Sequence, residues 1–492
     1  MGHEPNIEDY YHRCPITFKQ VSQLSKKKKK KTLVSLSKNL SCFFPAEKVN
    51  HMKITVKKST MVAPNAATPS GKLWLSNVDL VTATTYHTRS VYFYRFNGAA
   101  DFFDPAVLMA ALSRVLVEYY PIAGRLTRDE DGRISINCTG EGALFVEAEC
   151  DGEIDDLGGF APRPDLSLNP AVDYSLGIST YPLLLIQLTR FKCGGVCLGH
   201  GNQHHLSDGP AALRFTKTWF DLARSLATST ATVTTAADAP PFMDRTLLRA
   251  RDPPQPRFTH IEYHRGGNLQ PLLASEKTYS VFKLTSDQIN ALKAKCNVDG
   301  GNGPFPAARY TTFEVLAGHV WRCVSEARGL PGDQETKLYV STDGRSRLSP
   351  PLPPGYFGNV NFSATAVSLC GQLRSNNVCF AAGKTREAIA RMDDEYLRSA
   401  IDYLEVQPDI SAIARGPGTY NSPNLGIISW LRLPVYEADF GWGNPVHVGL
   451  AAAPPEGKCH LLPSPASDGS LLVSISLAKE HMRLFEKLLF HV

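Results

Sequence analysis

Two stretches of this 492-residue chain hold side chains suited to moving protons or stabilising developing charge: Gln203-His204-His205-Leu206-Ser207-Asp208-Gly209 and Asp439-Phe440-Gly441-Trp442-Gly443. In the first, a neutral imidazole is the natural general base for a hydroxyl near pH 7. The His204-x-x-x-Asp208 spacing alone says little, since 14 histidines give about 0.7 such matches by chance. The setting adds weight. The apolar run Leu183 to Leu188 reads as a buried strand, Lys192-Cys193-Gly194-Gly195 as a turn, and Val196 to His204 as a return strand. Asp208 and Pro210 then read as the N-cap and first turn of a helix carrying Leu213, Phe215, Trp219, Phe220 and Leu222. A histidine thus stands where a strand ends and a helix begins, a place where α/β proteins expose reactive groups.

Competing chemistries use the same residues. Strand alternation puts His200 and His204 on one face and His205 on the other, which disfavours a metal site built from these three and Asp208. His200 and His205 read more plainly as hydrogen-bonded structural histidines. Cys193 and Cys197 lack an activating neighbour and read as small buried or edge thiols rather than nucleophiles. Asp439-Phe440-Gly441 matches the kinase metal-binding triplet, but no glycine-rich loop with its lysine and no catalytic-loop pattern accompany it. Glycines on both sides of Trp442 imply a tight bend, serving to aim the indole N–H or simply to make a structural turn.

The elements that must position these residues follow from patterning. Ile54 and Val56 alternate as a strand, Ser90 to Arg95 as an aromatic one, and Ile134 to Asn137 and Leu144 to Ala148 as short ones. Asp104-Pro105 caps a helix to about Tyr120, with Leu108, Ala111, Leu112, Val115 and Leu116 on its core side. Composition shifts to Thr, Ala and Pro between Ser225 and Pro256, marking a linker and boundary. Beyond it, Thr285 with Gln288 and Thr311 with Glu314 read as capping boxes of two helices. Lys337 to Thr342 reads as a strand, Lys384 to Leu404 as one long helix, Ile427 to Leu433 and Leu471 to Leu477 as strands, and a last helix runs to Phe490. Each half mixes strands and helices, so the expected architecture is α/β in two similar domains: residues 52–224 with the histidine, a crossover linker at 225–262, and residues 263–492.

The formal charge of +5 is misleading as a clue to partners. Residues 1–51 hold ten basic and four acidic side chains, six of the former in Lys26 to Lys31, so the remaining 441 residues carry a net −1. That gives no support to a basic nucleic-acid-binding body. Residues 1–51 read as a disordered extension. The 11 cysteines form no metal-binding pairs or disulfide framework, which suits a reduced, cytoplasmic setting. No apolar run is long enough to span a bilayer.

His204-His205-Leu206-Ser207-Asp208-Gly209 followed some 230 residues later by Asp439-Phe440-Gly441-Trp442-Gly443 resembles the paired motifs of the plant BAHD acyl-CoA-dependent acyltransferases. The resemblance covers Met52 to Val492. It is narrowest toward the hydroxycinnamoyl-CoA shikimate/quinate hydroxycinnamoyltransferases, through Trp74 to Leu80, Ser90 to Arg95, Pro240 to Pro256, Thr342 to Asn359 and Ser429 to Pro434. It implies two chloramphenicol-acetyltransferase-like domains joined by a long crossover loop, with a channel between them. It implies a phenylpropanoid-pathway activity, transfer of a hydroxycinnamoyl group from CoA to a hydroxyl of shikimate or quinate in a ternary complex. No cofactor or metal is required, acyl-CoA being a co-substrate, and a monomer with only small-molecule partners is expected. Amine, glycerol or other hydroxy-acid acceptors, or a non-catalytic CoA-ester binder, are the alternatives.

By the same resemblance, His204 is the base, Trp442 the oxyanion donor, Asp208 a strut paired with Arg345, and Asp439 the holder of its own loop. Arg432 matches an arginine that binds the shikimate carboxylate, a role suited to a planar guanidinium. Thr88, Ser90 and Tyr92 fall on the channel lining. Tyr310-Thr311-Thr312, Ser341-Thr342-Asp343-Gly344-Arg345-Ser346-Arg347 and Ser429-Trp430-Leu431 fall near the acyl-CoA. Asn444, the loop Gly449 to Lys458, Asn361 to Ala364 and residues 419–422 depart from the pattern, which leaves acceptor identity open.

Overall fold

The computed structural model describes residues 52–227, 239–264, 276–298, 309–413 and 417–492. The extension over residues 1–51, and residues 228–238 of the expected linker, lie outside the described residues.

The alternation around the histidine motif becomes the strand Leu184–Arg190, a turn, and the antiparallel strand Val196–Gln203. These two are central in a six-stranded mixed sheet together with Ile54–Val62, Ala143–Cys150, His87–Tyr94 and His447–Leu450. Being central, both are buried on both faces, which explains the apolar run of the first; the second is equally buried although it carries His200, Asn202 and Gln203. Two helices, Pro105–Glu118 and Gly209–Ala227, cover one face; Leu112, Leu116, Phe215 and Trp219 pack there against Ile186, Leu188 and Leu198. Asp104 caps the first helix, accepting from the Ala106 N–H at 2.8 Å, with Pro105 in the first turn where its missing N–H costs nothing.

A second six-stranded sheet runs Asn361–Leu369, Glu335–Asp343, Leu425–Ser429, Lys458–Pro463, Leu471–Ala478 and Lys277–Leu284. Its helices include Thr312–Ala327, Val378–Ala390 and Lys479–Phe490. The capping box at Thr311 and Glu314 is formed, and so are the reciprocal Thr285 and Gln288 bonds before Ser286–Val298. Residues 239–264 lie across both halves. Phe242 bridges to Tyr356, and His260 is buried between Glu262 (3.0 Å) and the Ser399 hydroxyl (2.9 Å).

Two expectations are corrected, and one pairing was not foreseen. The long helix over 384–404 is two helices, Val378–Ala390 and Asp394–Glu405, because Asp393 turns out of helical geometry and caps the second through the Tyr396 N–H at 2.9 Å. The strand toward Leu433 ends at Ser429, and Trp430 N–H then donates to Leu461 O as the chain turns. The strand His447–Leu450, from the second half of the sequence, pairs with Ser90 to Phe93 and closes the edge of the first sheet.

Candidate active site

On the strand Val196–Gln203, residues 198, 200 and 202 share one face, and His204, one step past the strand, continues it. His200, Asn202 and His204 line a cavity of about 1550 Å³. Across from them the wall comes from the second sheet: Val340 to Asp343 at the end of one strand, Ile428 to Leu433 after another, and Lys458 and His460 on a third. The imidazole of His204 is half-buried and stacked on Tyr86, with centroids 6.2 Å apart and planes 26° from parallel. A histidine so placed can take a proton from a hydroxyl held in the cavity.

The turn carrying His204 is strapped by its backbone. The carbonyl of His204 accepts from Asn359 Nδ2 (2.8 Å), that of His205 from Arg245 Nη1 (3.0 Å), and that of Leu206 from Arg245 Nη2 (2.6 Å). Asn359 and Arg245 share one anchor, the Asp79 carboxylate. Its Oδ1 accepts from Asn359 N and Nδ2 at 2.9 Å each and lies 3.1 Å from Arg245 Nη1. The Arg245 and Asp79 side chains are both wholly buried. The other carboxylate oxygen of Asp79 accepts from Ser76 N and Oγ, so the anion is saturated with donors.

Asp208 immediately precedes the following helix, and its carboxylate is held by that helix and by the second half of the chain. Both of its oxygens accept from Arg345 at 2.8 Å, and it also accepts from Val360 N (2.9 Å) and Ala211 N (3.2 Å). It therefore caps the helix and ties the histidine turn to the second sheet. Burial opposes the charge of Arg345, but Asp208 and Asp343 beside it outweigh that and raise its pKa.

Most of the residues singled out on the sequence meet at the cavity. His204, Asp208, Thr88, Ser90, Tyr92 and Arg432 line it, as do Thr311, Thr312, Ser341, Thr342, Asp343, Ser346, Arg347, Ser429, Trp430 and Leu431. Gly344 and Arg345 sit just behind the wall, where a side chain at Gly344 would strike the Phe362 ring at 2.8 Å. Tyr310 is also off the wall, with the Arg386 guanidinium 4.1 Å from its ring centre.

Asp439 and Trp442 do not line the cavity; Asp439 holds its own loop, as expected, whereas Trp442 does not face a reacting centre. Asp439 Oδ1 accepts from Gly441 N (2.8 Å) and Gly443 N (2.9 Å), closing its own loop. Those glycines have φ of +108° and +104°, a region side-chain-bearing residues rarely adopt. The Trp442 indole N–H, expected to face an oxyanion, donates to Asp101 Oδ1 at 3.3 Å, and the ring packs 5.1 Å from Phe103. Phe440 inserts edge-on against Tyr94, Trp219 and Phe220. This motif fastens the second half of the chain to the first core.

Burial sets the remaining electrostatics. His87, His200 and His205 are each pushed down to about 4 by desolvation, which keeps them neutral at pH 7, and the Tyr92 phenol is pushed up to about 12. Arg89, Lys293, Arg347, Arg432 and Lys458 line the cavity, whereas among its acids Asp208, Asp343 and Glu314 are paired with arginines. The net field favours an anionic ligand. Sequence reasoning missed Asp79, Arg245, Asn359 and Tyr86. For Arg245 and Asn359 the signal is the demand of buried carbonyls for donors, and for Asp79 the demand of those donors for an anion, both apparent only once the turn is folded; Tyr86 shows itself only by its ring contact.

The fold comprises two chloramphenicol-acetyltransferase-like α/β domains with the cavity between them. Solved structures of vinorine synthase (TM-score 0.65, 18% identity, 88% of this chain and 96% of that one) and of F. sporotrichioides TRI101 complexed with coenzyme A and T-2 (0.69, 18%, 85% and 97%) share it. A family model described as Transferase family matches residues 52–491. Shikimate O-hydroxycinnamoyltransferase of Nicotiana tabacum is 56% identical over 448 residues, covering 89% of this chain and all of that protein. Rosmarinate synthase of Plectranthus scutellarioides is 54% identical over 448 residues, 90% of this chain and all of that one. A hydroxycinnamoyl-CoA:5-hydroxyanthranilate N-hydroxycinnamoyltransferase of Avena sativa is 50% identical over 462 residues, with 90% and 100% covered. The chain belongs to this transferase family, the BAHD acyl-CoA-dependent acyltransferases.

Proposed function

We propose that the protein transfers a hydroxycinnamoyl group from its CoA thioester to a hydroxyl of shikimate or quinate. The observation that carries the proposal is the half-buried His204 on a cavity wall shared by both sheets, its turn strapped at three successive carbonyls. The acceptor oxygen attacks the thioester carbonyl carbon as His204 takes its proton. The tetrahedral intermediate then expels the thiolate, which recovers that proton from His204, leaving ester and free CoA. Both substrates held in one cavity replace a bimolecular encounter by a positioned one. Cavity-lining cations, Lys293 and Arg347 among them, suit the phosphates of CoA. Trp430, named above only as a neighbour of the acyl-CoA, lines the cavity, and its indole N–H has no hydrogen-bond partner among the described residues. We assign it the oxyanion role in place of Trp442. Arg432 lines the cavity, is exposed and has no carboxylate partner among the described residues, so we assign it the acceptor carboxylate.

The relatives differ in acceptor, one by name acylating nitrogen, so the acceptor is what an assay must decide. Purified protein is given p-coumaroyl-CoA with shikimate, quinate, glycerol or 5-hydroxyanthranilate, and free CoA is followed. Shikimate or quinate should be the preferred acceptor. Arg432→Ala should raise KM about tenfold or more for the carboxylate acceptors while changing glycerol little. A preference for the amine, or equal damage with every acceptor, would overturn the assignment.

A further inference from the structure

The proposed transfer makes no use of His200, a histidine 7% exposed on the cavity wall. Neither of its ring nitrogens has a hydrogen-bond partner among the described residues; Nε2 is sealed from solvent, and Nδ1, which keeps accessible surface, is the nitrogen a ligand can reach. Buried polar groups in folded proteins are normally satisfied, so an orphan on a ligand cavity calls for a partner that the ligand brings. Its surroundings define that partner. Ser90 is the residue directly opposite His200 in the antiparallel pair, and Tyr92 follows on the same face of that strand. Leu213 and Thr216 of the helix Gly209–Ala227, with Val435 and Leu450, line the cavity alongside them. This part of the cavity is therefore largely apolar, backed by a central sheet, with a few polar groups placed in it. A small polyhydroxylated acceptor has no large apolar portion to bury there. An aryl ring bearing a hydroxyl does, and apolar sites with a few fixed polar groups are how proteins select such rings.

We infer that His200 is a specificity-determining residue whose imidazole hydrogen-bonds a ring hydroxyl of the acyl group. The inference rests on the acyl donor proposed above. Kept neutral by burial, which pushes it down to about 4, the imidazole offers one donor and one acceptor nitrogen. It can thus serve a phenol in either sense. A hydrogen-bonding site discriminates against a ligand lacking the hydroxyl because its own polar group is then left unpaired.

The test uses cinnamoyl-CoA, which has no ring hydroxyl, against p-coumaroyl-CoA and caffeoyl-CoA with one acceptor. The variants are His200→Val, which removes the hydrogen bond, and His200→Gln, which restores one. The ratio of kcat/KM for the hydroxylated donors over cinnamoyl-CoA should fall about tenfold in His200→Val, mostly through KM. It should return to within about threefold of wild type in His200→Gln. An unchanged ratio in His200→Val, whether activity falls equally with every donor or not at all, would overturn the assignment. Wild-type protein provides a readout independent of variant folding. The ¹⁵N resonances of the His200 imidazole should shift on adding caffeoyl-CoA and not cinnamoyl-CoA, and the same response to both thioesters would contradict the inference. A wild type that binds these thioesters without transferring them overturns the proposed reaction, and the imidazole shift alone then decides the role of His200.

Discussion

Arg245 is the place to perturb the strap without touching the cavity wall. In Arg245→Met a chain of similar length replaces the guanidinium, so the packing loss is small and the polar loss is isolated. Removing one partner of a buried ion pair costs about 3–5 kcal/mol, because the other charge stays buried. Here Asp79 keeps its bonds from Ser76 N and Oγ and from Asn359 N and Nδ2. That favours the lower end, about 3 kcal/mol. Two carbonyls of the histidine turn lose their donors as well. In urea, with a slope of about 3 kcal/mol per molar for a chain this large, the unfolding midpoint should drop by about 1 M. The turn is also freed to move, and a displacement of about 1 Å at a catalytic group costs about 10²-fold in rate. So kcat should fall about 100-fold while KM for the acyl-CoA changes less than about threefold. Arg245→Lys, which can satisfy one carbonyl and the carboxylate, should recover part of both losses. A variant that loses stability but keeps wild-type kcat would refute the positioning argument, and one that keeps both would refute the strap altogether.

Two further outcomes follow from the same geometry. Trp442→Phe should leave kcat within about threefold, since its N–H serves Asp101, whereas Trp430→Phe should lower kcat about 10²-fold with a smaller effect on KM. The reverse pattern would restore the Trp442 assignment. Burial pushes His87, His200, His205 and His447 down to about 4 in the folded protein, against about 6.5 when unfolded. Between those values the unfolded chain binds more protons, so stability should be level above pH 6.5 and fall as pH drops toward 4, each histidine contributing up to roughly 1.4 kcal/mol per pH unit. Urea midpoints at pH 8, 7, 6 and 5 test this. In His447→Phe, where the ring already stacks on Phe160 at 4.6 Å, the acid slope should be shallower; midpoints flat from pH 7 to 5 would count against it.

Local signals in the sequence were reliable where the structure is local. The strand–turn–strand–helix around His204, the Asp104 cap and the two capping boxes need only neighbours in sequence, and they form as read. The Asp208–Arg345 pair, 137 residues apart, was legible only through resemblance to a family, because spacing alone cannot say which arginine meets a buried carboxylate. The break at Asp393 was hidden by helix-like periodicity on both sides, and a single N-cap overrode it. The Trp442–Asp101 bond and the Arg245–Asp79–Asn359 strap join residues from distant elements. Nothing in their local sequence says which distant residue each will meet. What decides them is the requirement that every buried N–H, carbonyl and charge find a partner, and that becomes visible only when the chain has closed around them.

The central claim is that His204 is the base in a direct transfer between two bound substrates. The most direct measurement is single-turnover transfer from p-coumaroyl-CoA to the preferred acceptor by His204→Ala, with circular dichroism and acyl-CoA binding as controls. The variant should fold, bind the thioester with near-normal affinity and transfer at least about 10²-fold more slowly. Wild-type turnover in that variant would contradict the claim.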